Sequence, residues 1–216
     1  MARYVAPFAV FVVLLAIRDH IPIAQTWEYP VRVILTTIVL LSVSLRVIPA
    51  VPSRPFASTI LGIIVFVVWV APDIVVPSYR EHSIFQNSIT GYVSTSISPQ
   101  LRSSVAFQAM RALGSTAIVP VIEELFWRGW LMRYIIAANF EQVPLGSYTH
   151  AAFWITALLF ATEHGPFWDV GLVAGVLYNW WIIRTRNLAD CILSHTVTNG
   201  CLALYVLVFN QWQYWL

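Results

Sequence analysis

Apolar runs of membrane length, parted by short polar breaks, dominate the chain. The first runs from Tyr4 to Ile17 and can extend to Ala24, which is short against the roughly 20 residues a span needs. Val31 to Ile48 is the second, closed by Pro49-Ala50-Val51-Pro52-Ser53-Arg54-Pro55, whose prolines stop a helix. Phe56 to Val76 is long enough to span and is interrupted near its end by Pro72-Asp73. Pro77 to Ser98 then breaks the pattern with Ser, Thr, Asn and Gln. Ser98-Pro99 is a good N-cap and first-turn pair, opening a helix with Leu101, Val105, Ala109 and Ala112 on one face and Arg102 and Arg111 off it. That helix is expected to lie at the membrane interface. Further apolar segments cover Leu113 to Ala138, Ala151 to His164, Phe167 to Ile183 and Leu188 to Phe209.

The pattern predicts an all-α fold, a polytopic transmembrane helical bundle of seven to eight membrane helices, the interfacial helix being the eighth. It forms a single integral-membrane domain over 1–216: N-terminal spans over 1–76, a polar loop over 77–98 and a motif-bearing bundle with a polar cavity over 99–216. Composition agrees. The chain is 59% hydrophobic and 10% charged, with mean hydropathy +0.73, whereas a soluble domain is charged at about a quarter of its positions. All 12 basic residues are arginine, and a dispersed net charge of +2 excludes a nucleic-acid surface.

Arginines in short loops orient the chain. A cytoplasmic N-terminus places Arg3, Arg46, Arg54, Arg133, Arg184 and Arg186 inside, with Arg18 and Arg32 flanking the first outer loop. No small-x-small cleavage site follows the first run, so it is expected to be a retained span. Cys191 and Cys201 have neither metal-pair nor disulfide spacing and are expected to be small buried hydrophobes.

Charge inside one apolar run changes the picture. Glu123, Glu124 and Arg128 lie in the fourth segment, and an ionised side chain at the bilayer centre costs roughly 2.5 to 3.5 kcal/mol. Such residues point to function. Glu124 and Arg128 share a helix face in the favourable order of acid before base, while Glu123 points about 100° away. Phe160-Ala161-Thr162-Glu163-His164 ends the fifth segment, and His195 and Asn199, four apart, share a face of the seventh.

This set suits amide hydrolysis by water. Glu123 takes a proton from a water held between it and His164, His195 and Asn199 stabilise the oxyanion, and Glu124 with Arg128 holds the helix and balances charge. Glu163 either tunes His164 or caps the cavity mouth. Simpler roles exist for each: a structural Glu124–Arg128 pair, an interfacial His164, or interhelical hydrogen bonding by His195 and Asn199.

Three motifs carry a family resemblance. Glu123-Glu124-x-x-x-Arg128, Phe160-x-x-x-His164 and His195-x-x-x-Asn199 resemble those of the CPBP family, the CAAX proteases and bacteriocin-processing enzymes, over roughly Leu113 to Gly200. The resemblance implies a helical, glutamic-type intramembrane endopeptidase without cofactor or metal, in which Glu123 and His164 activate water and His195 and Asn199 form the oxyanion site. Its partners would be the lipid bilayer and a membrane-anchored or lipidated protein or peptide substrate, and its location a bacterial inner membrane. Phe126-Trp127-Arg128-Gly129-Trp130 also resembles a bacterial branch associated with exosortase-type protein sorting.

Other classes remain open from the residues alone. They are a non-proteolytic membrane binding or immunity protein, a proton-coupled transporter, and a zinc-dependent intramembrane protease using Glu123, His164 and His195, although H-E-x-x-H is absent. Counting along straight helices puts His164 near the outer end of its span, Glu123 near mid-membrane and His195 toward the inner third. Convergence on one water therefore requires kinks or unequal depths, for which Pro120, Gly165-Pro166 and the short fifth segment are the candidates.

Overall fold

The computed structural model describes residues 1–20 and 22–215 and, of Asp19, the backbone alone. Among the described residues the fold is all-helical. The long elements are α1 (Ala2–Ala16), α2 (Gln25–Val43), α3 (Pro55–Val75), α4 (Val105–Ile136), α5 (His150–Thr162), α6 (Trp168–Thr185) and α7 (Leu188–Phe209). By length and composition α2, α3, α4 and α7 can each cross a membrane, while α1 and α5 are shorter apolar helices. Large apolar side chains point outward, among them Ile34, Ile38 and Leu41 on α2 and Ile60, Ile63 and Val67 on α3. A contiguous outward apolar surface of this kind is what a lipid solvent accepts and water does not.

One expected element is built differently. Pro99–Arg102 forms a single helical turn, and the chain breaks at Ser103 and Ser104. Ser104 then caps a new helix, its hydroxyl accepting from the Phe107 amide. From Val105 the helix runs unbroken into the motif, so the segment expected to lie at the interface is the first part of α4.

Two ends of the bundle can be distinguished. At one, the Ser44 hydroxyl donates to the Arg3 carbonyl at 2.6 Å and Asn187 Nδ2 to the Val51 carbonyl at 3.0 Å. Asp190, fully buried in the first turn of α7, accepts from the Arg54 amide at 2.8 Å and from the amide and hydroxyl of Ser53. These bonds satisfy amides at the start of α3 that the helix leaves open. At the other end the 77–98 segment is folded over the bundle by Arg80, whose buried guanidinium reaches Asp73 at 2.9 Å, the Pro166 carbonyl at 2.9 Å and Asp169. The Tyr214 hydroxyl donates to the same Asp73 at 2.7 Å, which ties in the C-terminal turn.

Candidate active site

The motif glutamates sit between two widened stretches of α4. Gly114–Ile118 and Leu125–Leu131 are π-helical, and Glu123 and Glu124 end the α-helical piece between them. Pro120 explains the first stretch. The Val119 amide bonds the Gly114 carbonyl, five residues back, and proline supplies no amide for the next carbonyl along. The Ser115 carbonyl is left open, and Asn199 Nδ2 donates to it at 2.9 Å. Inserted π turns of this kind are frequent at functional sites.

Glu124 is fully buried and engages two motifs at once. Its Oε1 accepts from Arg128 Nη1 at 2.9 Å and from His195 Nδ1 at 3.0 Å. The carboxylate can only accept, so the proton lies on Nδ1. Arg128 spends its remaining donors on Asn179 Oδ1 at 2.9 Å and the Gly175 carbonyl at 3.2 Å, while Asn179 Nδ2 holds the Phe153 carbonyl at 2.8 Å. The guanidinium lies 4.5 Å from the Phe160 ring centroid and 5.4 Å from that of Tyr178. Tyr178 in turn stacks on His195 at 5.1 Å and donates from its hydroxyl to Thr198 at 2.7 Å.

Glu123 faces the open side. Its Oε2 is 3.9 Å from His195 Nε2 and has no hydrogen-bond partner, although the residue is only 9% exposed. His164 follows α5, and its Nδ1 meets the Phe160 carbonyl at 2.8 Å, which fixes the proton there and leaves Nε2 as an acceptor. Gly171 makes room for this ring, and Gly165 lets the chain turn beside it. Gly165 turns the chain at φ +53°, and a Cβ on Gly171 would stand 3.1 Å from the imidazole. Glu163 accepts from the Trp127 indole at 2.9 Å. Glu123, Glu163 and His164 each offer one ligand atom, all within 4.8 Å of one another, so these three could hold a metal ion.

The residues that straight-helix counting put at different depths therefore meet. α5 has 13 residues, about 20 Å of helix, so its end falls within the bundle and delivers His164 beside Glu123. Glu123, Glu163, His164, His195 and Asn199 all line one cavity of about 440 Å³, with Phe160 and Tyr178 in its wall. The cavity extends to the end covered by the 77–98 segment, where Thr90, Gly91 and Tyr92 line it. Glu124 and Arg128 stand behind it, paired as expected, but Glu124 also orients His195. Asn179 and Tyr178 were missed from the sequence. The available signal was a polar Asn one α-helical turn after Gly175 inside an apolar run.

Among the described residues, four apolar helices long enough to cross a membrane and two shorter ones, around an ionisable cavity, define an integral membrane protein. Residues 105–201 match the family model described as Rce1-like, type II CAAX prenyl endopeptidase, the segment that holds all three motifs. Over that segment the chain is similar to type II CAAX prenyl endopeptidases. No curated protein and no solved structure matches it.

Proposed function

We propose that the protein is a glutamic-type intramembrane endopeptidase that hydrolyses a peptide bond of a membrane-anchored or lipidated protein or peptide. The observation that carries this reading is the spacing of Glu123 and His164, whose ligand atoms lie within 4.8 Å of each other, beside a buried Glu123 oxygen with no partner. One water with two hydrogen bonds of about 2.8 Å at a tetrahedral angle bridges groups about 4.6 Å apart. Glu123 accepts the water's proton as the oxygen attacks the scissile carbonyl, and later delivers it to the leaving amine. The oxyanion accepts from His195 in its imidazolium form, whose Nε2–H points to it while Nδ1–H is held by Glu124, and from the second Asn199 N–H, the first being held by Ser115.

Purified protein and a panel of membrane-anchored and lipidated peptides test this. Glu123→Gln is expected to lower turnover by about 10²- to 10⁴-fold without changing the melting temperature, and a strong chelator to leave activity intact. The Glu123, Glu163 and His164 grouping favours a second reading, a zinc-dependent protease. Activity lost to chelator and restored by zinc would select it. Substrate flux across sealed vesicles without peptide cleavage would select transport instead.

A bacterial inner membrane with a cytoplasmic N-terminus accompanies this reading. In its support, Arg3, Arg46, Arg54, Arg133, Arg184 and Arg186 belong to the end of the bundle opposite the 77–98 segment. Contacts among Arg3 and Ser44, Val51 and Asn187, Ser53 and Asp190, and Arg133 and the Tyr4 ring define that end. The cavity end lined by Thr90, Gly91 and Tyr92 then faces outward.

A further inference from the structure

Two residues of the motif segments take no part in the water-activating mechanism: Trp127, inside the Phe126-Trp127-Arg128-Gly129-Trp130 run, and Glu163, which precedes His164. The fold joins them. Trp127 Nε1 donates to Glu163 Oε1 at 2.9 Å. Trp127 lies four residues after Glu123 on α4, and Glu163 is the first residue after α5. Their bond therefore runs between the same two elements that carry Glu123 and His164.

His164 needs such a tie. Its Nδ1 meets the Phe160 carbonyl, its ring stands edge-on to Trp69 at 5.1 Å, and Gly171 lies beside it. Those partners sit on α5, α3 and α6, whereas Glu123 sits on α4. Arg128 of α4 also meets the Phe160 ring at 4.5 Å, but a cation over a ring is satisfied anywhere within about 6 Å, while a hydrogen bond weakens steeply as its angle closes. The donor is itself held still. Trp127 is buried, and its indole is boxed by Phe8, Phe126 and Phe160 at 5.6, 4.7 and 5.9 Å.

We propose that Trp127 and Glu163 are a positioning pair, which sets the separation of Glu123 and His164 by tying the end of α5 to α4. This rests on the peptidase reading above. The ligand atoms of Glu123 and His164 lie within 4.8 Å of each other, and one bridging water spans about 4.6 Å, so a retreat of the α5 end by about 1 Å opens the gap beyond a single water. The role asks Glu163 for an accepting oxygen and not for a charge. Glutamine can supply that oxygen, and leucine cannot.

Kinetics and NMR on one set of variants in phosphatidylcholine nanodiscs test the pair. Trp127→Phe keeps a ring and removes the donor, and Glu163→Leu keeps the bulk and removes the acceptor. Each is expected to lower kcat for a cleaved membrane-anchored peptide by about 10- to 10²-fold, with KM changed less. The double variant should be no slower than the slower single one, and Glu163→Gln should recover most of the rate. Losses that multiply in the double variant overturn the pair. So does Glu163→Gln as slow as Glu163→Leu, which would assign the charge of Glu163 to the chemistry or to a metal. Should Glu163→Leu fail to fold, Trp127→Phe and Glu163→Gln carry the test. Histidine-selective nitrogen NMR reads His164 without turnover: its ring signals, identified by their loss in His164→Gln, should move in Trp127→Phe, a variant that changes no charge. Signals unmoved there overturn the pair whether or not the protein cleaves peptides. Signals that move, with no cleavage by the unmutated protein, would keep the pair and sink the peptidase reading.

Discussion

Each ring nitrogen of His195 faces a different carboxylate, Glu124 at 3.0 Å from Nδ1 and Glu123 at 3.9 Å from Nε2. Adjacent helix residues point about 100° apart, and both reach this ring because α7 crosses where α4 presents the two side chains astride it. The sequence shows that Glu124 and Arg128 can pair. It does not show that the same Glu124 oxygen also fixes the histidine, because that contact spans 71 positions in the chain. Asn179 was illegible for a related reason: an asparagine in an apolar helix reads equally well as a packing hydrogen bond, and only the fold puts it on Arg128 Nε. Arg128→Leu should therefore be severe, leaving Glu124 buried with His195 as its one remaining partner, at a cost of about 3 to 5 kcal/mol. A fall in melting temperature in detergent, partly restored by a second Glu124→Leu change, is the expected result. Unchanged stability in the single variant would show that Glu124 is not held as a buried ion.

At the scale of elements, the apolar runs located all seven long helices, because the bilayer's demand for long unbroken stretches is strong and local. Their irregularities were hidden. Hydrophobic periodicity does not report a π turn, and Ser98-Pro99 looked like the start of a helix that in fact restarts at Val105 under Ser104. Pro120 was visible as a kink, but its consequence, a Ser115 carbonyl left for Asn199, needed the hydrogen bonds. Pro120→Ala restores an amide to this turn. The amide is expected to compete for the Ser115 carbonyl and release Asn199, lowering kcat by about tenfold or more while the melting temperature holds or rises. Equal turnover in the variant would mean that the widened turn does not position Asn199. Gly171→Ala probes the other side of the site, since its Cβ would sit 3.1 Å from the His164 ring. The imidazole must give way by a few tenths of an ångström, and a loss of turnover of up to about 10²-fold is expected for a small misplacement, with KM for peptide changed less.

The whole molecule adds what neither scale carries: one end tied through Ser44, Asn187 and Asp190, and an opposite end where the cavity reaches the 77–98 segment. Polar composition marked that segment as a loop, and so it is, yet it is firmly held. Arg80 pins it to Asp73 on α3 and Asp169 on α6, and Trp168 donates to the Ile84 carbonyl at 3.1 Å. A sequence cannot show this, because the anchor is one arginine whose partners lie on separate helices. The proposed orientation assigns a side to each end. With the N-terminus in the cytoplasm, the 49–55 loop lies inside and the 77–98 segment outside, so substrate reaches Glu123 from the outer face. Single cysteines at Ile89 and Val51, 94% and 71% exposed, report each end once Cys191 and Cys201 are replaced by alanine. A membrane-impermeant maleimide added to intact cells should label Ile89→Cys and spare Val51→Cys, the pattern reversing in inverted vesicles. Labelling of Val51→Cys from outside would invert the topology and turn the cavity toward the cytoplasm, and the substrate's cleavable end would then have to be presented from within the cell.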